Sequence, residues 1–239
     1  MTTSIPTVVL IHGAFADATS WSGVITELQS EGIPVIAPPN PLRGLAADAA
    51  YVASVAAQID GPVVLVGHSY GGALITVAGT TENVVGLVYV AAYVLEEGES
   101  LGELQGRFPD SPLVSNLKQW TYPVAAGDPA AEVTITAEAF PSVFAADVPA
   151  DVTKVLAVAQ RPLAAGAFTE TASAAAWQTK PSWALVAGAD QAINPEVERF
   201  GAERAGATVV EIAGASHAVA VSQPKEVAAL ILDAVRAVG

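Results

Sequence analysis

The sequence predicts one α/β domain in which helices flank a mostly parallel β-sheet and a mostly helical cap is inserted into the core. Short apolar, β-branched runs alternate with helical periodicity up to Val90. The same alternation resumes at Trp183, and the long stretch between these two residues lacks it. Alternating strands and helices are typical of parallel sheets, because the chain must cross over the sheet between parallel strands, usually as a helix.

The four strands predicted in the first half of the chain are apolar along their whole length. They cover Thr7–Ile11, 33–37, 63–66 and Val84–Val90. Runs without polar alternation indicate strands that are buried on both faces, as in the middle of a parallel sheet. The segments between them space apolar residues at i, i+3, i+4 and i+7, which predicts helices, the first of them capped by Asp17.

The last part of the chain continues the pattern with two more strands and two helices. The predicted strands are 183–186 and Thr208–Ile212. Asn194 and Pro195 suit the N-cap and first position of the helix between them, and Pro224 suits the start of the final helix. The core is therefore expected to comprise residues 1–93 and 178–239, which leaves residues 94–177 as the cap.

The cap segment is too long to be an ordinary loop of a compact domain, and it is rich in aromatic residues. We expect it to cover the carboxyl ends of the strands. Phe15 from the first loop and Trp120, Tyr122 and Phe144 from the cap are candidate residues of an apolar substrate pocket. The alternative is that the cap aromatics only form the core of the cap.

Charge and composition restrict the partners of the protein. The 239 residues carry a formal net charge of −14, which repels nucleic acid and anionic lipid, so neither partner is expected. The absence of cysteine excludes disulfide and thiolate chemistry. No basic, apolar leader is evident, so a cytoplasmic location is expected. The protein is expected to be a monomer or a homodimer. Metal-ligand spacing and a dinucleotide-binding glycine motif are also missing, so no cofactor is expected.

The motif most informative about chemistry is GHSYG at residues 67–71, which fits Gly-x-Ser-x-Gly. A buried strand is predicted before it and an apolar helix after it. A serine on so tight a strand-to-helix turn has a strained backbone, and its hydroxyl stands clear of the sheet. Ser69 is therefore the candidate nucleophile. The alternative is a glycine-rich turn without chemistry.

A serine nucleophile needs a general base, and the chain offers three histidines. His12 ends the first strand, and the turn should direct the side chain of His68 away from Ser69. His217 follows a late strand, from which a loop can carry it to Ser69. His217 is therefore the candidate base, unless it merely closes a turn.

The base needs a carboxylate that fixes its tautomer, and Asp190 directly follows the strand 183–186. In proteins with this elbow the chain order is serine, acid, histidine, and Ser69, Asp190 and His217 obey it. The alternative is that Asp190 is an ordinary turn residue. Four rival aspartates fall in the cap: Asp110, Asp128, Asp147 and Asp151.

Two backbone N–H groups should stabilise the oxyanion of a tetrahedral intermediate. One belongs to Tyr70, directly after the nucleophile, and the other should come from the loop after the first strand. We assign the second to Ala14, with Phe15 as the alternative. His12 is expected to be a structural hydrogen-bonding residue.

With these motifs, the chain resembles the α/β-hydrolase superfamily along nearly its whole length. It is most similar to a branch of small, cap-bearing bacterial carboxylesterases. The shared motifs are HGAFADxxSW at residues 12–21, GHSYGG at 67–72 and ASH at 215–217. Plant methylesterases and hydroxynitrile lyases are more distantly similar. The resemblance implies hydrolysis of an ester through an acyl-enzyme.

Departures from related families favour the same chemistry. Epoxide hydrolases and haloalkane dehalogenases place Asp where this chain has Ser69, and hydroxynitrile lyases carry Lys where it has Ala218. Cofactor-free haloperoxidases usually carry Met where it has Tyr70. The expected substrate is a small to medium, largely apolar ester. The alternatives are a carbon–carbon lyase of the hydroxynitrile lyase type and a non-catalytic ligand-binding receptor on the same fold.

Overall fold

The computed structural model describes residues 5–239, whose strands form two β-sheets. The strands are β1 (Thr7–Ile11), β2 (Val35–Ile36), β3 (Val63–His68), β4 (Val84–Val90), β5 (Leu117–Tyr122), β6 (Ala130–Ile135), β7 (Leu163–Ala164), β8 (Ser182–Ala187) and β9 (Thr208–Ile212). The larger sheet has six strands in the order β2-β1-β3-β4-β8-β9, and its neighbouring strands are parallel. The smaller sheet, β5-β6-β7, is antiparallel.

Helices connect the strands of the larger sheet and cover both of its faces. They are α1 (Ser22–Ser30), α2 (Leu45–Ala57), α3 (Tyr70–Ala78), α4 (Leu101–Gln105), α5 (Phe140–Phe144), α6 (Ala150–Val158), α7 (Pro195–Arg204), α8 (Val219–Ser222) and α9 (Pro224–Val238). Short 3-10 helices cover Ala18–Trp21, Val114–Asn116, Ala165–Phe168 and Ala176–Gln178. Within residues 5–239, no helix is both long and apolar enough to cross a bilayer.

The large sheet divides its side chains between two hydrophobic clusters, one on each face. Val9 and Ile11 belong to the cluster that includes residues of α2 and α3. Val8 and Leu10 belong to the cluster that includes residues of α1 and α9. The strands β1, β3 and β4 are buried on both faces, as their unbroken apolar runs predict, and the alternating α/β architecture is confirmed. The edge strand β2 is not, because Ile36 is 41% exposed.

Local sequence signals also place the helix starts. The Asp17 carboxylate accepts a hydrogen bond of 2.7 Å from the Thr19 N–H and caps the 3-10 helix before α1. Asn194 caps α7 in the same way. The strand expected at 33–37 is shortened to β2, because prolines lie on both sides of it and supply no N–H to the ladder.

The cap segment differs from its prediction in one respect. Beside the short helices α4, α5 and α6, it contains the three-stranded antiparallel sheet, whereas the sequence predicts a mostly helical cap. No side chain of β5 is fully buried, so the strand carries no apolar alternation from which it could be recognised. Its conformation is fixed by pairing with β6, which sets Leu117 opposite Ile135.

Among residues 5–239, the cap shares the hydrophobic cluster of the core and has no separate one. Leu101 and Phe140 of the cap belong to the same hydrophobic cluster as one face of the large sheet. The Ala164 N–H of β7 also donates a hydrogen bond of 3.0 Å to the Leu42 carbonyl oxygen in the core. The cap residues are therefore positioned by the sheet that carries the site.

Candidate active site

Ser69 occupies a strained turn between β3 and α3. Its backbone has φ 54° and ψ −121°. A residue with a side chain rarely adopts a positive φ, and such strain persists only where the surroundings enforce it. Here the Ser69 N–H donates to the Val90 carbonyl oxygen at 3.2 Å. The strain is the one expected of a nucleophile elbow.

The glycines of the elbow are required by close backbone contacts. A Cβ atom on Gly67 would lie 2.4 Å from the Gly71 carbonyl oxygen. A Cβ atom on Gly71 would lie 2.5 Å from the Ile11 carbonyl oxygen of β1. The turn that presents Ser69 therefore requires glycine at positions 67 and 71, because a larger residue would clash with the backbone.

His217 and Asp190 form a buried hydrogen-bonded pair. The His217 Nδ1 lies 2.5 Å from Asp190 Oδ2. Asp190 Oδ1 accepts hydrogen bonds from the Ala192 N–H at 2.6 Å and the Ile193 N–H at 2.9 Å. Because Nδ1 is engaged by Asp190, Nε2 is the nitrogen left for a proton from Ser69.

The rival aspartates do not take the position of Asp190. Asp147 accepts a hydrogen bond from the Ser216 hydroxyl. The other three are exposed on the cap: Asp110, Asp128 and Asp151.

Ser69 and His217 line one small cavity of about 20 Å³ between the sheet and the cap. The core also contributes Ala14, Phe15 and Tyr70 to its walls. The other lining residues from the core are Tyr93, Ala192 and Ile193. The cap contributes Leu101, Leu113, Leu163 and Phe168, so the walls are largely apolar. The predicted nucleophile, base and oxyanion loop thus meet at the carboxyl ends of the strands.

The loop after β1 favours Ala14 over Phe15 as an oxyanion donor. The Phe15 N–H already donates to the Arg161 carbonyl oxygen at 3.1 Å, so it is committed elsewhere. A Cβ atom on Gly13 would lie 2.7 Å from the Ser69 Cβ, so only glycine lets this loop pass so close to the nucleophile. Ala14 and Tyr70, the first residue of α3, border the cavity.

The side chain of Tyr70 is anchored by a buried carboxylate that sequence reasoning missed. The Tyr70 hydroxyl donates to Asp48 Oδ2 at 2.9 Å, and Asp48 is fully buried. Burial raises the pKa of the Asp48 carboxyl, although hydrogen bonds from the Arg43 backbone and Tyr70 oppose this shift. The sequence shows Asp48 only as a polar residue near the start of α2, because its partner is distant in the chain.

Replacing Tyr70 by phenylalanine is expected to destabilise the protein by about 1–3 kcal/mol, because the buried Asp48 carboxylate loses its hydroxyl donor and keeps only the N–H donors of Arg43 and Gly44. Denaturant unfolding measures the change. Tyr51→Phe is the control and should leave stability nearly unchanged, because Tyr51 lies on the exposed side of α2, the helix that carries Asp48. An equally stable Tyr70→Phe variant would contradict the importance of this hydrogen bond.

The two other histidines form hydrogen bonds to backbone groups next to the site. His68 Nε2 donates to the His217 carbonyl oxygen at 2.9 Å, and burial lowers the pKa of His68 well below its usual value. His12 donates from Nδ1 to the Gly13 carbonyl oxygen at 2.8 Å, and its Nε2 accepts from the Asn40 N–H at 2.9 Å. Burial lowers the pKa of His12, so it is a neutral hydrogen-bonding residue, in agreement with the structural role expected of it.

The cap holds the loop that carries His217 on both sides of the histidine. Before it, the Ser216 hydroxyl donates to Asp147. After it, the Ala218 N–H donates to the Phe144 carbonyl oxygen at 2.8 Å. The Phe144 ring packs edge-on against the imidazole of His217, with the ring centres 4.8 Å apart.

The structure separates the four predicted substrate-binding residues. Phe15 lines the cavity of Ser69, and Phe144 lines a neighbouring cavity together with Phe15. Trp120 and Tyr122 are on β5 and are not among the described residues that line either cavity. Because β5 is an exposed strand, its aromatic residues do not reach the site.

The contacts of these two aromatic residues lie on the outside of the cap. The Trp120 side chain is 46% exposed, and its indole N–H donates to Thr134 at 2.9 Å. The Tyr122 ring lies under the Arg43 guanidinium at 4.4 Å. The geometry therefore does not place Trp120 and Tyr122 at the cavity of Ser69, where the sequence predicts a substrate pocket.

A parallel sheet with a serine elbow after β3, an acid after β8 and a histidine after β9 is the arrangement of an α/β-hydrolase. The chain belongs to the alpha/beta hydrolase family, whose model matches residues 8–230, and it is thereby placed among the hydrolases. No curated protein matches the sequence.

Solved structures of hydrolases share the fold at low sequence identity. Polyneuridine aldehyde esterase superposes with a TM-score of 0.82 at 22% identity over 96% of this chain and 99% of its own. A methylesterase from Arabidopsis gives 0.79 at 18% identity, covering 97% and 99%. A pyrethroid hydrolase from Sphingobium faniae JZ-2 gives 0.77 at 21% identity, covering 98% of each chain.

Proposed function

We propose that the protein is a serine carboxylesterase that hydrolyses a small to medium, largely apolar ester. The observation that carries this proposal is the buried His217–Asp190 pair, whose histidine lines the same cavity as Ser69 on its elbow. Esterases and a pyrethroid hydrolase among the structural neighbours agree with ester chemistry.

The proposed reaction consists of acylation of Ser69 and hydrolysis of the acyl-enzyme, and His217 transfers the proton in both steps. Ser69 Oγ attacks the carbonyl carbon of the ester while His217 Nε2 takes the hydroxyl proton. The oxyanion of the tetrahedral intermediate accepts hydrogen bonds from the Ala14 and Tyr70 N–H groups. As the bond to the alcohol breaks, His217 returns the proton to the leaving oxygen. Water then attacks the acyl-enzyme in the same way and releases the acid.

The test is hydrolysis of p-nitrophenyl acetate, butyrate and octanoate, together with labelling by a fluorophosphonate probe. Turnover with label on Ser69 supports the esterase. Cyanide release from mandelonitrile without ester turnover would favour a lyase. If neither reaction nor labelling occurs, the receptor alternative replaces the esterase.

Phe15 is the residue that we expect to control acyl-chain length. The cavity of Ser69 has room for little more than a water molecule. A second cavity of about 120 Å³ lies on the other side of Phe15. Its other walls are mainly apolar and come from the first loop, the cap and α8: Ala16, Asp17, Thr19, Ser20, Phe140, Phe144, Val155, Leu156, Ala159 and Val221. A rotated or truncated Phe15 side chain would join the two spaces.

Replacing Phe15 by alanine is therefore expected to raise kcat/KM for octanoate relative to acetate by about tenfold or more. Each methylene that becomes buried contributes about 0.8 kcal/mol, or roughly fourfold. Chain-length series for the wild type and the variant measure the effect. Trp120→Ala is the matched control, because its aromatic ring lies outside both cavities. An unchanged ranking in Phe15→Ala would remove the second cavity from the proposal.

A further inference from the structure

Glu198 is a buried acidic residue that the mechanism does not use. It lies in α7, only 3% exposed. Its Oε2 accepts a hydrogen bond of 2.9 Å from the Ala187 N–H at the end of β8. In the described part of the chain, its other oxygen, Oε1, has no donor. A carboxylate oxygen buried in this way is costly unless something supplies a hydrogen.

Glu198 and Asp190 both bind the backbone of Ala187 at the end of β8: the Ala187 N–H donates to Glu198 Oε2, and the Ala187 carbonyl oxygen accepts from the Asp190 N–H at 3.1 Å. The charge of Asp190 and a hydrogen bond to its side chain are among the causes that raise the pKa of Glu198. The carboxylate of Asp190 already accepts from His217, Ala192 and Ile193. It has no hydrogen to offer, but it has a lone pair left to accept one. Two buried carboxylates in contact repel each other strongly, so one of such a pair keeps its proton.

We propose that Glu198 is a neutral carboxylic acid in the working enzyme, and that its Oε1–H donates a hydrogen bond to Asp190. The proton gives Oε1 a hydrogen-bonding partner and leaves one negative charge beside His217 instead of two. Glu198 is then a positioning residue, because it holds the carboxylate that orients the base without touching the substrate.

The surroundings of Glu198 fit this protonation state. Burial, followed by the charge of Asp190, raises the pKa of Glu198 well above its usual value. Arg199 opposes the shift, but its guanidinium is exposed and bound to two surface glutamates. Burial also raises the pKa of Tyr93, so that hydroxyl stays neutral, and it donates to Gln105.

The first test measures the proton without any assay of activity. Glutamine reproduces the neutral acid, so Glu198→Gln should fold. Glutamate in the unfolded chain titrates at about pH 4.3. If folded Glu198 keeps its proton above that pH, folding takes up one proton, and wild-type stability falls as pH rises. The ratio of unfolding constants, wild type over Glu198→Gln, should then rise about tenfold per pH unit between about pH 5 and 7.

The matched control is Glu196→Gln, which removes an exposed carboxylate from the first turn of the same helix. Its ratio of unfolding constants should change little over the same pH range. A ratio for Glu198→Gln that is equally flat would mean that folded Glu198 is ionised, and the proposal would be wrong.

The second test rests on the proposed esterase function and uses the pH profile of kcat/KM. The acidic limb of this profile is the pH range in which kcat/KM falls as the pH is lowered. Glu198→Gln should keep the wild-type kcat and the wild-type position of this limb, because the amide donates to Asp190 as the acid does. Glu198→Leu lacks that donor, so kcat should fall about ten- to hundredfold and the acidic limb should move to higher pH. An acidic limb that moves to lower pH in Glu198→Gln would show that wild-type Glu198 carries a charge.

Discussion

Replacing Ser69 by alanine is expected to lower kcat for p-nitrophenyl esters by about 10⁶-fold. The elbow holds this one hydroxyl above the sheet, in the cavity that it shares with His217. Without it no acyl-enzyme forms, and only the oxyanion donors and substrate binding remain to accelerate direct attack by water. Initial rates on acetate, butyrate and octanoate esters give the measurement.

The control for Ser69→Ala is Ser142→Ala, which removes the exposed hydroxyl of a cap serine. It should retain full activity, and both variants should unfold at nearly the wild-type temperature. A Ser69→Ala variant that still turns over these esters within tenfold of the wild-type rate would exclude Ser69 as the nucleophile.

Asparagine in place of Asp190 is expected to lower kcat by about 10⁴-fold with little loss of structure. The Ala192 and Ile193 N–H groups both point at Oδ1, so the amide oxygen of asparagine must take that position. Its NH₂ group then faces His217 Nδ1 and makes that nitrogen an acceptor. The proton moves to Nε2, which can no longer take one from Ser69.

The kinetics of Asp190→Asn should show the loss in kcat, with KM nearly unchanged. Asp147→Asn is the control, because the amide oxygen can still accept from the Ser216 hydroxyl, and its kcat should stay within a few-fold of the wild type. A loss below tenfold in Asp190→Asn would assign the orienting role to another group.

Features that depend on short stretches of sequence could be predicted. The strands are continuous apolar runs, and the elbow is a local pattern of glycines around Ser69. Asp17 and Asn194 cap helices through hydrogen bonds to residues two positions away. The pairing of His217 with Asp190 could also be predicted, because the chain has only three histidines and one aspartate directly after a late strand of the sheet.

Features that depend on distant contacts could not be predicted. Tyr70 meets Asp48 across 22 positions in the chain, and Glu198 meets Asp190 from a helix whose register the sequence does not fix. Trp120 is an aromatic residue in a capping segment, which suggests a pocket, but an exposed hairpin places it outside. Periodicity reports which side chains are buried, and it does not report which buried side chains meet.

The two hydrogen bonds that join the cap to the His217 loop have an evolutionary consequence. One binds Ser216 to Asp147, and the other binds Ala218 to Phe144. A cap exchanged for that of a relative would bring new specificity only if it also supplied these two anchors. Recombination between relatives should therefore preserve residues 144–147 with the loop 216–218 as one inherited unit, while the exposed positions of β5 remain free to diverge.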